Sequence, residues 1–337
     1  MTIQKSPAPT GTAVTGGPAP RVSRSWADKA GVSRFSGLYI AVILLVLFSI
    51  LLPQTFPTFN NLMGIADAQV ITAIAAFALL LPMAAGSFDL SVAAMLGFAS
   101  VSVAYLQSNG VEPVTAIVIV LVIGAIVGAI NGFVVLNLGV DSFIATLGMS
   151  SILAAFTYWL TGGLQIVDGI APGFLAIART KAFGVPLTIL YLIVIALILW
   201  FVLEFRPFGR HLYAVGGNRT AARLAGLNVN RVTRFSLIIA GFLAALAGVL
   251  LTAKLGSGSP DVGAPYLLPA FAAVFLGSTQ IKPGRPNVLG TIVAVYLLAI
   301  GVKGLQLLGA PTRIDSFFNG VVLIVAVALA VRSRRKN

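Results

Sequence analysis

Apolar runs separated by short polar links fill most of residues 38–331, and one longer polar stretch divides them into two groups. Six runs precede that stretch, at 38–52, 62–83, 90–106, 114–138, 143–160 and 186–203. Four follow it, at 235–253, 267–278, 288–302 and 317–331. Long apolar runs with so few charges are candidates for bilayer-crossing helices, which need about 20 residues each. The expected fold class is therefore an all-α polytopic membrane protein with about ten transmembrane helices. Only the run at 267–278 is too short to cross comfortably, and it predicts a segment that is tilted, longer than it looks, or partly re-entrant. Six crossings return the chain to its starting side at the polar stretch, and ten leave both termini there too.

The polar stretch, EFRPFGRHLYAVGGNRTAARLAGLNVNRVTR (204–234), holds the densest internal charge. Gly216 and Gly217 break what precedes, Asn218 is placed to cap, and nothing interrupts 219–225 before Gly226, which predicts a helix of about two turns. So short a helix is marginal alone and needs packing against its own domain or another protein. Arg206, Arg210, Arg219, Arg223, Arg231 and Arg234 suit an acidic partner surface or anionic headgroups, and they also fix topology with no partner at all. Charge alone does not separate these readings.

Three other links carry information. AAGSFDLSV (84–92) is so tight that it implies an antiparallel hairpin or a discontinuous helix. GAIVGAING (124–132) spaces glycines four apart on one face, letting a neighbouring helix approach closely. Residues 161–185 predict an external loop with one short interfacial helix. GSFDLSVAAMLGFASV (86–101) and GSPDVGAPYLLPAFAAV (258–274) each set a Gly/Ser break and an Asp ahead of a small-residue helix, which suggests internal duplication. Paired interrupted helices in two halves point to a path at the repeat interface.

Composition sharpens this outline. The 337 residues are 58% hydrophobic and 9% charged with mean hydropathy +1.01, outside the range of a soluble globular domain. Lys and Arg total 22 against 9 acids, a net charge of +13. The basic residues gather in an N-terminal arm (Lys5, Arg21, Arg24, Lys29, Arg34), the polar stretch and a tail (Arg332, Arg334, Arg335, Lys336), as the positive-inside rule expects of cytoplasmic ends, so no nucleic-acid partner is expected. The resulting organisation is a disordered basic leader (1–35), a first transmembrane half (36–203), a cytoplasmic loop (204–234), a second transmembrane half (235–331) and a basic tail (332–337). With no cysteine, the chain has no disulfide, thiolate metal site or thiol nucleophile.

Ionisable groups within or beside the apolar runs are few: Asp67, Asp89 and Asp141. A charge at the bilayer centre costs about 2.5–3.5 kcal/mol, so such groups face a polar cavity or an interface. No G-x-x-x-x-G-K-[ST] loop and no metal motif occur, and the single histidine, His211, lies in the polar stretch. Neither an enzyme nor a bound metal or cofactor is expected in this chain.

Four motifs taken together resemble the permease subunits of ribose-type ABC importers. They are GSFDLSV (86–92), NGFVVLNLGVDSFIATLGM (131–149), FGRHLYAVGGNRTAARLAGLNVNRV (208–232) and AFAAVFLGSTQIKPGRPNVLGT (270–291). The chain departs from the family pattern at Ser87, Ala93 and Pro269. The resemblance implies a sugar or similar small polar solute moved by alternating access, with ATP and Mg used by a separate cytoplasmic ATPase subunit. It implies that Asn218, Arg219, Ala222, Arg223, Leu224, Ala225 and Gly226 seat on that ATPase. A second permease subunit, identical or different, and an external solute-binding protein complete the expected assembly in a bacterial inner or plasma membrane. On this reading Asp67, Gln69, Asp89, Asn131 and Thr146 are candidates to line or shape the path. An ion-coupled secondary transporter, a passive channel and an ABC permease for amino acids or nucleosides are the alternatives.

Overall fold

The computed structural model describes residues 35–311 and 314–334. The leader expected at 1–35, its last residue apart, and the last three residues of the basic tail lie outside the described residues. Among the described residues the chain is a helical bundle with one two-stranded ribbon. Before the polar stretch come α1 (Ser36–Leu51), α2 (Phe59–Ala68), α3 (Val70–Ala84), α4 (Val92–Ser108), α5 (Pro113–Asn137) and α6 (Ser142–Thr161). An excursion follows, made of α7 (Pro172–Arg179) and the strands β1 (Lys181–Ala182) and β2 (Val185–Pro186), and then α8 (Leu187–Phe205). The polar stretch forms α9 (Pro207–Gly217) and α10 (Arg219–Leu224). The rest is α11 (Val229–Leu255), a 3-10 turn (Ala264–Tyr266), α12 (Leu267–Gly277), α13 (Val288–Leu307) and α14 (Ile314–Arg334). Six of these helical stretches, counting α2 and α3 as one, are long and apolar enough to cross a membrane, and four shorter apolar helices accompany them.

Side-chain caps set many of the helix starts. Glu112 accepts from Thr115 N–H at 2.9 Å, Asp141 from Phe143 N–H at 2.9 Å, Asn228 from Arg231 N–H at 2.9 Å and Asn287 from Gly290 N–H at 2.8 Å. Asp141 thus serves as a cap. The Asn228 cap also starts α11 six residues before the apolar run at 235–253, because polar residues of the first turns face the bundle end.

Every residue of α3 is buried, which is why that run shows no polar face. α11 packs beside it and crosses α5 closely along the glycine series. A Cβ at Gly241 would overlap the carbonyl oxygen of Gly124, and one at Gly128 would overlap that of Leu237. Two backbones therefore touch directly, as the four-residue spacing predicts.

Residues 85–91 leave the helical path at one end of the bundle, where Gly216 of α9 lies against Ala84 and Gly86. Residues 256–263 do so at the other end, where Ile166 and Gly258 exchange backbone hydrogen bonds of 2.9 Å. This second run is laid along α4. Gly258 meets Val101 and Ala104, and Gly263 meets Ala93 and Gly97. The run turns on itself between Ser259 and Val262, where Val262 N–H donates to the Ser259 carbonyl at 3.3 Å. The short run at 267–278 is therefore the helical part of a longer segment whose first part is irregular.

One local expectation is corrected. The backbone does not break at Gly216 and Gly217; α9, begun by Pro207 at its first turn, runs through both and stops at Asn218. Gly216 is needed for contact, since any Cβ there would strike the carbonyl oxygen of Ala84. Phe183 and Gly184, both with positive φ (52° and 82°), turn the ribbon between β1 and β2 inside the loop expected at 161–185.

Candidate functional site: a cavity and a docking helix

In the link 85–91 the N–H groups of Ala85, Gly86 and Ser87 bond back into the end of α3, while Phe88 and Leu90 turn to hydroxyls of α6. Ser142 Oγ accepts from Phe88 N–H at 3.2 Å, Thr146 Oγ1 accepts from Leu90 N–H at 2.9 Å, and Ser150 Oγ donates to the Leu90 carbonyl at 2.9 Å. Asp89 is only 1% exposed, and its Oδ1 accepts from Ser91 N–H at 2.9 Å and from Ser91 Oγ at 2.6 Å. Asn131 Nδ2 of α5 donates to the same Ser91 hydroxyl at 2.9 Å. Asp89, Asn131 and Thr146 are therefore brought together in one buried polar knot that pins the link.

Beside that knot lies a cavity of about 360 Å³, where α4 and α6 meet the irregular run before α12. Its apolar lining includes Leu90, Ala93, Leu147 and Leu267; its polar lining is Ser150, Ser151, Thr157, Tyr158 and Asp261, with no Lys or Arg. The Tyr158 hydroxyl donates to Asp261 Oδ1 at 2.6 Å, joining α6 to that run. Hydroxyls, one carboxylate and an aromatic ring beside apolar walls suit a neutral polyhydroxylated solute. A carboxylate-bearing solute would find no cation there.

None of the five expected path residues borders this cavity. The residues that do were missed because serines and threonines on α6 read as interhelical glue, although Ser150 and Thr157 lie two turns apart on one face. Asp261 carried a usable signal, since it heads the second half of the suggested duplication.

Asp67 stands elsewhere, in an ion pair. Its Oδ2 pairs with Lys254 Nζ at 2.7 Å, and the Thr188 hydroxyl donates to its Oδ1. Lys254 Nζ also donates to the Asp67 carbonyl at 2.7 Å. Lys254 lies one residue past the apolar run at 235–253, and α11 continues to Leu255 and carries it to α2 and α8. Each side chain is about a quarter exposed, at 24% and 26%. Lys254→Met leaves the carboxylate unpaired, and the expected cost is about 2 kcal/mol, read as a lower melting temperature in detergent. Adding Asp67→Asn recovers most of it. Equal melting of Lys254→Met and wild type would refute a structural role for the pair. Gln69 lines a different cavity, of about 460 Å³, together with Asn60, Asn61, Lys303, Gln306 and Asp315.

At the bundle end bearing the polar stretch, Asn218 Oδ1 accepts from Ala221 N–H at 2.9 Å and starts α10. The helix divides into two faces. Ala222 is 6% exposed and packs inward, whereas Leu224 is 85% exposed, with Arg223, Ala225 and Gly226 exposed around it. Arg219 Nη2 donates to Ser87 Oγ of the link at 2.6 Å. In α9 the Tyr213 hydroxyl donates to the Pro286 carbonyl at 2.9 Å, and the Arg285 guanidinium lies 4.3 Å from the Tyr213 ring centroid. Glu204 pairs with Lys282, and with Arg285 at 3.3 Å. Burial pushes the Tyr213 phenol up to about 12, so it remains a hydrogen-bond donor at any physiological pH. The polar stretch thus holds both the link 85–91 and the loop between α12 and α13.

A bundle of apolar helices, a cavity between two interrupted segments and a short exposed helix at one end together define a multi-pass membrane transport protein. The family model described as branched-chain amino acid transport system / permease component matches residues 61–327, and the chain belongs to that family. It is 35% identical over 300 residues to the ribose import permease protein RbsC of Bacillus subtilis, covering 89% of this chain and 93% of that one. It is 33% identical over 313 residues to RbsC of Escherichia coli K12, covering 91% and 95%. To the D-allose transport system permease protein AlsC of the same strain it is 31% identical over 298 residues, covering 88% and 91%. No solved structure matches the chain. The protein is a permease component, a transport subunit rather than an enzyme.

Proposed function

We propose that this chain is the membrane permease subunit of an ATP-driven importer for a sugar, carrying the solute by alternating access. The observation that carries the sugar reading is the 360 Å³ cavity lined by hydroxyls and one carboxylate without any cation. An amino acid needs its carboxylate paired, and nothing in that lining pairs it. Sugar-import permeases among the relatives support the same reading, even though the family description mentions branched-chain amino acids. An ion-coupled mechanism is less well supported, because Asp67 is already neutralised by Lys254.

In this reading the chain crosses a bacterial inner or plasma membrane ten times, with both termini, α9 and α10 on the cytoplasmic side. Two permease subunits enclose the path. A cytoplasmic ATPase subunit, which uses ATP and Mg, seats on the exposed face of α10, and an external binding protein delivers the solute to the opposite end. Closure of the ATPase dimer moves α10, and the two interrupted segments change the side on which the cavity opens.

The test is purification of the tagged permease in mild detergent, with mass spectrometry of what accompanies it, followed by uptake of labelled D-ribose and D-allose by the reconstituted assembly. An ATPase subunit co-purifies, and Asp261→Asn lowers uptake of the transported sugar about tenfold while that subunit is retained. Sugar uptake from the purified chain without nucleotide would overturn the ATP-driven reading.

A further inference from the structure

We infer that Arg219 is a positioning residue for transport, acting through Ser87 to pass the displacement of α10 to the link beneath the cavity. The inference rests on the docking reading of α10 given above and extends it to a single side-chain tie.

The placement of Arg219 is not explained by its own helix. It stands in the first turn of α10, where a cation opposes the positive end of the helix dipole. Its guanidinium reaches instead to Ser87, a residue 132 positions earlier in the chain and 1% exposed. α10 is six residues long and cannot hold itself. It is fastened to its own chain by the buried Ala222 and by this bond, while the face bearing Leu224 is free. A partner gripping that free face therefore moves whatever Arg219 holds.

What Arg219 holds is the part of the bundle suited to respond. Residues 85–91 are not helical, and α6 secures their backbone by three hydroxyl bonds. Ser142, Thr146 and Ser150 rise along one side of α6, so a shift of the link exchanges one hydroxyl for the next at small cost. Leu90 in that link forms part of the cavity wall, three residues from Ser87. The path from partner to solute is then Leu224, Arg219, Ser87, Leu90.

The chain has no cysteine, which makes a single reporter clean. Phe88→Cys, at a side chain 42% exposed, is labelled with bimane in the assembly of permease and ATPase subunit, and emission is followed on adding ATP with Mg. ATP shifts the emission in the otherwise wild-type background. The shift is at least about fivefold smaller in Arg219→Met, in Ser87→Ala and in the double variant, which is no worse than either single change because one bond is lost in all three. ATPase subunit retention is measured for every variant, and the shift is compared per retained subunit. A shift of undiminished size in Arg219→Met, or none in the parent, overturns the inference and leaves the docking reading intact. Arg219 is on the surface, so its variant decides the matter even where Ser87→Ala lowers yield. Failure of the parent to retain any ATPase subunit overturns the docking reading, and this inference with it.

Discussion

Leu224→Glu strips the ATPase subunit from the purified permease while the permease itself inserts and melts as wild type does. Leu224 is 85% exposed on a helix capped and anchored from its other side, so its apolar side chain has no work within this chain. An apolar anchor seated in a partner pocket contributes about 2 kcal/mol or more, and losing it weakens affinity about 30-fold, read as lost recovery when the subunits are diluted below the weakened Kd. A carboxylate buried without a partner adds to that loss. Nucleotide-driven uptake falls in proportion. Ala222→Glu behaves differently although it lies two residues away. Ala222 is packed inward, so the new charge is forced into the chain's own interior and lowers the melting temperature first. Undiminished recovery of the ATPase with Leu224→Glu would remove α10 as the docking element.

Gly241→Leu is the second large effect, and it falls on folding. The nearest atoms to a Cβ there are backbone atoms of Gly124 and Gly128, which have no rotamer to yield. α5 and α11 must separate along their length, at a cost at or above the upper end of usual overpacking, about 3 kcal/mol. The apparent melting temperature in detergent is expected to fall by about 6 °C, with a matching loss of monodisperse protein. Gly148→Ala in α6 is the control. Nothing lies within 4 Å of a Cβ there, so it is neutral or slightly stabilising. Equal melting of Gly241→Leu and wild type would show that the close α5–α11 contact is not maintained.

Those two residues also show where sequence reasoning reaches and where it stops. Gly124, Gly128 and Gly132 announced a close helix contact by spacing alone, because a four-residue period is a property of one helix. The partner glycine at 241 was invisible, since which helix comes close is a property of the bundle. Asn218 and the residues after it announced α10 for the same local reason. That Ala222 faces in and Leu224 faces out depends on where the neighbouring helices stand. The polar residues divide likewise. Asp89 and Thr146 are recognisable as unusual in an apolar run, yet nothing local says that they serve the link's backbone and leave the cavity to Ser150, Tyr158 and Asp261. The partner of Asp67 is 187 residues away, beyond the reach of any local pattern.

The irregular run before α12 bears on how the protein is made. α12 has 11 residues, too few to partition into lipid on its own as it leaves the ribosome, and the run ahead of it carries Asp261. Its place in the bundle is offered by α4, along which it lies, and by Tyr158 of α6, both synthesised earlier. Residues 256–277 are thus expected to settle in the membrane only once α4 and α6 are in place.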